Sequence, residues 1–292
     1  MSWQNLAKDY GLPQRYNSKK LDQYHASTCC LPLSFHAELF KASWRAADVY
    51  MDKIYQTEET TGFHVLKPLM LSLLALFHGR LVDNSRHRMA HDKKIPAGEI
   101  THEVFAMGST IFIILEVDLL APQEEENVAL LFKQLISAAR DNQQSGLQVR
   151  VYGLLTDRTR FAFFSYDHSR RCFSFDEELV ADGPREQFLA RLIPVANKIF
   201  SVLFAGFFAV LQAPVAPKAT GECSNTRVAI QYAAEATRRF ASGTSGKAEE
   251  ALRLLQASVL AVPRGIDAYM DVQEPKSVKE LEDLALRSNE LC

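Results

Sequence analysis

A chain of 292 residues with an apolar share of 47% can bury a sizeable core, so the composition excludes a disordered protein and allows one large domain or a core domain with an appendage. The formal net charge of −2 excludes a globally basic nucleic-acid-binding protein, although a local basic patch is compatible with it. The five cysteines are odd in number and include no CxxC pair, which argues against a zinc ribbon and against a secreted disulfide framework.

The N-terminal residues have neither the basic start nor the apolar run of a secretory signal, so we expect an intracellular protein, cytoplasmic or nuclear. Residues 1–33 show no sustained periodicity, which predicts an arm that lies on the surface or is partly disordered. Adjacent Cys29 and Cys30 have no further Cys or His at ligand spacing, so packing thiols are favoured over a metal or redox site.

Two helices are predicted in the following part of the chain. Ser34 is a suitable cap, and apolar residues recur at helical spacing over residues 34–55. The second helix, over residues 65–81, is apolar on nearly all sides. Such a helix is usually covered by other elements, so we expect a core thicker than one helix layer.

The loop over residues 82–98 has no apolar period and is rich in basic residues, namely Arg86, Arg88, Lys93 and Lys94. Two interpretations are open, a loop that contacts phosphate groups and a solvated surface loop.

Residues 101–167 follow the pattern strand, strand, helix, strand, strand. Ile111 to Leu115 form a continuous apolar run, which is typical of a strand covered on both faces. After Pro122, acidic residues and then apolar residues at helical spacing predict a helix that ends at Gly146. Two further β-rich segments predict a hairpin, over residues 149–155 and 161–166.

A further strand is predicted over residues 172–175, and a helix over residues 185–211 that Pro194 bends or splits. The most apolar part of this helix, residues 199–211, is too short to cross a hydrocarbon layer of about 30 Å, so we expect a core helix.

The composition changes after a Pro- and Gly-containing linker at residues 213–225. Ala or Leu then recurs at helical spacing in three stretches, residues 224–241, 247–262 and 277–291. This pattern predicts a helical C-terminal region, for which packing on the core, self-association and partner binding are all open.

Three carboxylates are the candidate metal ligands. Glu103 precedes the turn at Gly108, while Glu116 and Asp118 end the next predicted strand and share one face by its period of two. If the two strands pair, all three acids can surround Mg²⁺, which suits metal-assisted phosphodiester hydrolysis. The alternative is a set of solvated acids at a sheet edge.

The order of these elements, together with the segments 151–157 (VYGLLTD) and 161–167 (FAFFSYD), resembles the PD-(D/E)XK nuclease-like superfamily and, more closely, uncharacterised fungal proteins with such a core. The resemblance extends over about residues 38–211, and residues 198–201 (KIFS) also agree with it. It implies a mixed central β-sheet flanked by helices, as in restriction endonucleases, with an Mg²⁺-dependent site for nucleic acid.

The resemblance assigns roles to single residues. It makes Glu116 the central carboxylate and Glu103 the acid of the preceding strand. Asp118 stands where the superfamily has a lysine that orients the attacking water, and Lys133 on the following helix is the candidate substitute amine. The sequence also departs from related proteins at Leu130, where glutamine is usual, while Glu38 is the candidate for an additional acid on the first long helix.

We therefore predict an α/β core over residues 34–213, preceded by the arm over residues 1–33 and followed by the helical region over residues 224–292. The leading functional hypothesis is a nuclease-like domain that binds nucleic acid, for which both retained phosphodiesterase activity and its loss in a degenerate site are open. If it is active, Glu103, Glu116 and Asp118 hold Mg²⁺. The alternative is a protein-interaction or regulatory module that uses the core as a scaffold and the C-terminal helices for contacts with a partner or a second copy.

Overall fold

The structure is a computed structural model and describes residues 2–50, 62–84, 100–116, 124–213, 222–241 and 245–262, all within one compact unit, Met1–Val262. Four predictions fall wholly or mostly outside these residues. They concern the basic side chains of the predicted loop (Arg86, Arg88, Lys93 and Lys94), the position of Asp118, the linker over residues 214–221, and the last helical stretch, residues 277–291.

The described residues form seven α-helices and seven strands. The helices are α1 (Trp3–Tyr10), α2 (Leu33–Tyr50), α3 (Gly62–Ala75), α4 (Glu124–Gln144), α5 (Arg185–Gln212), α6 (Glu222–Ala241) and α7 (Ser245–Ala261). The strands are β1 (Asp22–Gln23), β2 (Leu81–Asp83), β3 (Ile100–Ala106), β4 (Ser109–Glu116), β5 (Val151–Thr156), β6 (Arg160–Asp167) and β7 (Cys172–Val180).

One mixed sheet unites all seven strands, in the order β1-β7-β6-β5-β4-β3-β2. The pairs β4 with β5 and β1 with β7 are parallel, and the other neighbours are antiparallel. Helix α4 connects the parallel pair β4 and β5, as a parallel connection requires. The predicted α/β fold with a mixed, helix-flanked sheet is confirmed, and so is the order strand, strand, helix, strand, strand.

Strand β4 is buried on both faces, as its continuous apolar run predicts. Ile113 and Leu115 belong to the buried cluster with α1 and α4, and Phe112 and Ile114 belong to the cluster with α3 and α5. Helix α5 approaches β4 so closely that a Cβ atom on Gly206 would lie 2.9 Å from the Cβ of Ile111. The helix needs glycine there because any side chain would overpack the contact.

The prediction of a surface arm over residues 1–33 is wrong. Helix α1 buries Trp3 and Leu6 against α4, and β1 extends the sheet beside β7. The next residues pack on the opposite face of the sheet, where Cys29 and Leu31 are buried near α5. The described N-terminal residues therefore contribute to both apolar layers.

Helix α5 runs without interruption through Pro194, so of the two predicted effects of this proline the split is wrong and the bend stays a prediction. Its 28 residues are long and apolar enough to cross a membrane by length and composition, but 72% of its most apolar window is buried inside the protein.

Strand β7 continues to Val180, beyond the predicted end at residue 175. Lys198 of α5 pairs with the carboxylates of its residues Asp176 and Glu177.

Helix α6 packs on α5 and helix α7 packs on α6, so these two helices pack on the core, one of the three arrangements left open by the sequence. Alanines, including Ala229 and Ala233, are buried in the same apolar cluster as α5. The ring of Phe240 lies 5.3 Å from that of Phe200, and the Ser258 hydroxyl donates to the Ala229 carbonyl oxygen at 2.8 Å. Small residues let these helices approach closely, and the two other arrangements stay predictions.

Candidate functional site

Glu103 lies in the interior of the protein. It pairs across the sheet with Ile113 and is only 3% exposed. The Thr110 hydroxyl donates to Oε1 of Glu103 at 3.0 Å. Thr110 is itself held by Asn142 of α4, which accepts from its N–H at 2.9 Å and donates to its carbonyl oxygen at 2.7 Å. The carboxylate is thus fixed beneath α4 by a hydrogen-bonded network.

Glu116 is the last residue of β4 and pairs with Thr156 at the end of β5. The structure therefore brings the strands of Glu103 and Glu116 together, and Glu116 lies three residues beyond the partner of Glu103 in the β3–β4 register. The side chain of Glu116 and all of Asp118 are outside the described residues. Convergence of the three carboxylates stays a prediction.

Lys133 takes a half-buried position on α4, the helix that covers the Glu103 side of the sheet. Leu130, at the glutamine position of related proteins, packs against the apolar cluster beneath the same helix. Glu38 of α2 is exposed, and the hydrogen bond and charge of Lys41 lower its pKa. Since Glu38 is paired with a neighbour on its own helix, its geometry agrees with a surface ion pair.

Within the described ranges, no group of three His, Cys, Asp or Glu residues is arranged to hold a metal ion. Glu103 alone offers one carboxylate, and one of its oxygens already accepts a hydrogen bond. Mg²⁺ prefers octahedral oxygen coordination, so an ion here would need Glu116, Asp118 and water as further ligands.

A second group of charged side chains, which no sequence motif indicated as a site, lies between α5 and β7. Lys198 is 2% exposed, and its Nζ lies 2.6 Å from Oδ2 of Asp176 and 2.8 Å from Oε1 of Glu177. The N–H of Ala26 donates to Asp176 at 3.1 Å, and Nδ1 of His25 lies 3.0 Å from its other oxygen. The sequence signal that could have indicated this group is Lys198 itself, a lysine within an apolar helix. A buried cation requires an anionic partner, so such a lysine predicts a buried ion pair.

The turn between β5 and β6 belongs to a segment on which the family resemblance rests. Asp157 accepts hydrogen bonds from the N–H of Thr159 at 2.9 Å, the hydroxyl of Thr159 at 2.6 Å and the N–H of Arg160 at 2.7 Å. Burial alone would raise the pKa of Asp157, but these hydrogen bonds lower it overall from the ordinary 3.8. The turn therefore favours the ionised carboxylate.

We expect Asp157→Asn to remove a pH-dependent part of the stability. The folded pKa lies below the unfolded one, so the contribution is fully present above the unfolded pKa and is lost as pH falls below about 4. In urea titrations, the stability difference between the two proteins should be constant from about pH 5 to 7 and shrink toward pH 3. Thr159→Val, which removes one of the three bonds, should show a smaller effect of the same kind. A difference that stays constant down to pH 3 would contradict the prediction.

Comparisons of the chain with protein-family models, with curated proteins and with solved structures found no match. The family resemblance therefore rests on the motifs and on the arrangement of elements described above.

Proposed function

We propose that the chain is a nucleic-acid-binding protein with a nuclease-like core that has lost phosphodiesterase activity. The observation that supports this proposal is the order in which the strands pair. Strand β3 pairs antiparallel with β4, helix α4 then crosses over, and β5 pairs parallel with β4. Glu103 and Glu116 lie on the adjacent strands β3 and β4. This arrangement agrees with the element order and acid positions on which the resemblance to the PD-(D/E)XK superfamily rests.

Loss of activity is supported by two features of the acids. Glu103 is buried and receives a hydrogen bond from Thr110, whereas a metal ligand must reach an ion that also binds water and substrate. Asp118 occupies the lysine position, and an additional negative charge there opposes the anionic transition state of phosphodiester hydrolysis. If the core is active after all, Glu103, Glu116 and Asp118 hold Mg²⁺ and Lys133 supplies the amine.

The test is binding and cleavage of labelled DNA and RNA by the full chain. We expect binding whose affinity falls linearly with salt on a logarithmic scale, because phosphate contacts release counterions. We also expect no cleavage with Mg²⁺ or Mn²⁺. Cleavage that Glu116→Ala abolishes, and that the α4 control Glu126→Ala leaves unchanged, would contradict the loss of activity. Absence of salt-dependent binding would overturn the nucleic-acid proposal.

The second candidate is a protein-interaction module whose C-terminal helices make the contacts. It is favoured by Val228 and Tyr232, which lie one turn apart on α6 and are 38% and 39% exposed. The net charge of −2 also suits a protein partner better than nucleic acid. Failure of the nucleic-acid binding test would favour this candidate.

A further inference from the structure

A cavity of about 520 Å³ lies where β6 turns into β7, between α1 and the C-terminal half of α4. Sites for small molecules typically measure about 300–1,000 Å³, so this cavity is large enough for one. Its polar lining comes from distant parts of the chain and includes Tyr10, Arg140, Gln143, Gln148, His168 and Arg171.

The cavity favours negative charge. Arg140 and Arg171 both contribute to its wall, and none of the described residues that line it is acidic. Burial, and then a hydrogen bond with Tyr10, raise the pKa of the lining residue Tyr166, while the charges of Arg171 and Arg140 act in the opposite direction. Two guanidinium groups in the wall of one cavity suit the oxygens of a phosphate, which guanidinium groups bind through paired hydrogen bonds.

The turn that carries His168 and Arg171 is held firmly. The carboxylate of Asp167, at the start of this turn, accepts hydrogen bonds from the Ser169 hydroxyl at 2.6 Å and from the Arg150 guanidinium at 3.0 Å. The guanidinium of Arg171 lies 5.4 Å from the centre of the Tyr10 ring, which restricts its position. A cation fixed in this way loses little conformational freedom when it binds an anion.

Two further features of the turn bear on the cavity. Arg171 has φ of +50°, a left-handed conformation that a residue with a Cβ disfavours and glycine adopts freely. Nδ1 of His168 is buried with no hydrogen-bond partner among the described residues. The left-handed φ belongs to the hairpin turn, as it does at Met107 and Arg158 in two other turns, whereas an unsatisfied buried polar atom beside a cationic cavity is explained by a bound ligand.

We propose that this cavity binds a phosphate monoester, with Arg140 and Arg171 contacting the phosphate oxygens and the amides of Gln143 and Gln148 contacting the rest of the ligand. The phosphate belongs either to a free nucleotide or to the end of a nucleic-acid strand. Gln148 precedes β5, whereas Glu116 pairs with the last residue of β5, so the cavity lies at the other end of that strand from the candidate acids. The proposal is independent of the proposed nuclease-like function.

Thermal unfolding and calorimetric titration of the full chain test the proposal, at one ionic strength set with NaCl. The probes are inorganic phosphate, AMP, adenosine, and one short oligonucleotide with either a 5′-phosphate or a 5′-hydroxyl. We expect a higher Tm and measurable binding with AMP or with the phosphorylated oligonucleotide, and none with adenosine. A preference for AMP identifies a free nucleotide, and a preference for the phosphorylated strand identifies a nucleic-acid end. No response to any phosphate compound overturns the proposal.

The variant Arg171→Gly separates binding from folding. Glycine tolerates the left-handed φ, so the Tm of the ligand-free variant should be unchanged or higher, while affinity for the phosphate probe falls at least about tenfold. Arg140→Gln should weaken binding to a similar extent. It is the variant on which the test relies if Arg171→Gly is less stable than expected. Arg227→Gln, at an exposed position on α6, is the matched control and should bind like the unchanged chain. Unchanged affinity in both cavity variants overturns the proposal.

Discussion

Replacing Lys198 by alanine is expected to lower the free energy of unfolding by about 3–5 kcal/mol, because it leaves a buried carboxylate without its cation. Asp176 is only 8% exposed, and Lys198 is its closest charged partner, at 2.6 Å. The same lysine also donates to the Ala26 carbonyl oxygen at 3.3 Å, so its loss affects α5, β7 and the N-terminal segment together. Equilibrium unfolding in urea measures the change.

Two comparisons make the Lys198 result specific. Lys41→Ala breaks the exposed pair with Glu38 and should cause no measurable change. A double-mutant cycle of Lys198→Met with Asp176→Asn should give a coupling energy of roughly 0.5–3 kcal/mol, because the two groups are in direct contact. A loss below about 1 kcal/mol for Lys198→Ala would show that the buried pair is not what holds these three elements together.

Replacing Trp3 by alanine is also expected to cost about 3–5 kcal/mol, the usual loss for a large aromatic side chain removed from a core. Trp3 is 1% exposed, and its ring lies 5.4 Å from that of Tyr16 and 6.1 Å from that of Phe132. Its indole N–H donates to the Pro13 carbonyl oxygen at 3.0 Å, which would lose its donor in the variant. Urea unfolding followed by circular dichroism measures the loss.

Fluorescence provides a second measurement of the same contact. The chain has two tryptophans, so Trp44→Phe leaves Trp3 as its only tryptophan. We expect blue-shifted emission that changes at the same urea concentration as the circular dichroism, because α1 is packed into the sheet–helix core. Emission typical of exposed tryptophan, or a separate early transition, would contradict this arrangement.

The sequence predicted the elements whose patterns are long and consistent. The apolar run from Ile111 to Leu115 identifies a strand covered on both faces, and the helical spacing after Pro122 identifies α4. The sequence could not predict that β7 continues through Asp176 and Glu177, because consecutive acidic residues usually mark the end of a strand and the start of a solvent-exposed loop. Lys198, which pairs with both, comes from a helix that follows later in the chain.

The packing of the N-terminal segment could not be predicted for a different reason. Helix α1 has eight residues and β1 has two, so neither is long enough to establish a period. Their positions depend on contacts with α4 and β7, which a local sequence pattern cannot indicate.

The cavity could not be predicted from local sequence patterns either. Its lining residues Tyr10, Arg140 and Arg171 are distant in sequence and come to one place only in the folded chain. Glu103 was identified as a carboxylate on the correct strand, but its burial depends on Thr110 and Asn142.

The parallel pairing of β1 with β7 bears on how the protein folds during synthesis. Ala26 meets Asp176 across 150 residues of chain, and Trp3 meets α4 only after that helix has been translated. At about 5–20 residues per second, roughly 8–30 s pass between the emergence of the N-terminal segment from the ribosome and that of its strand partner. The N-terminal segment therefore stays without this strand partner for that interval, and its apolar side chains are exposed to chaperones meanwhile.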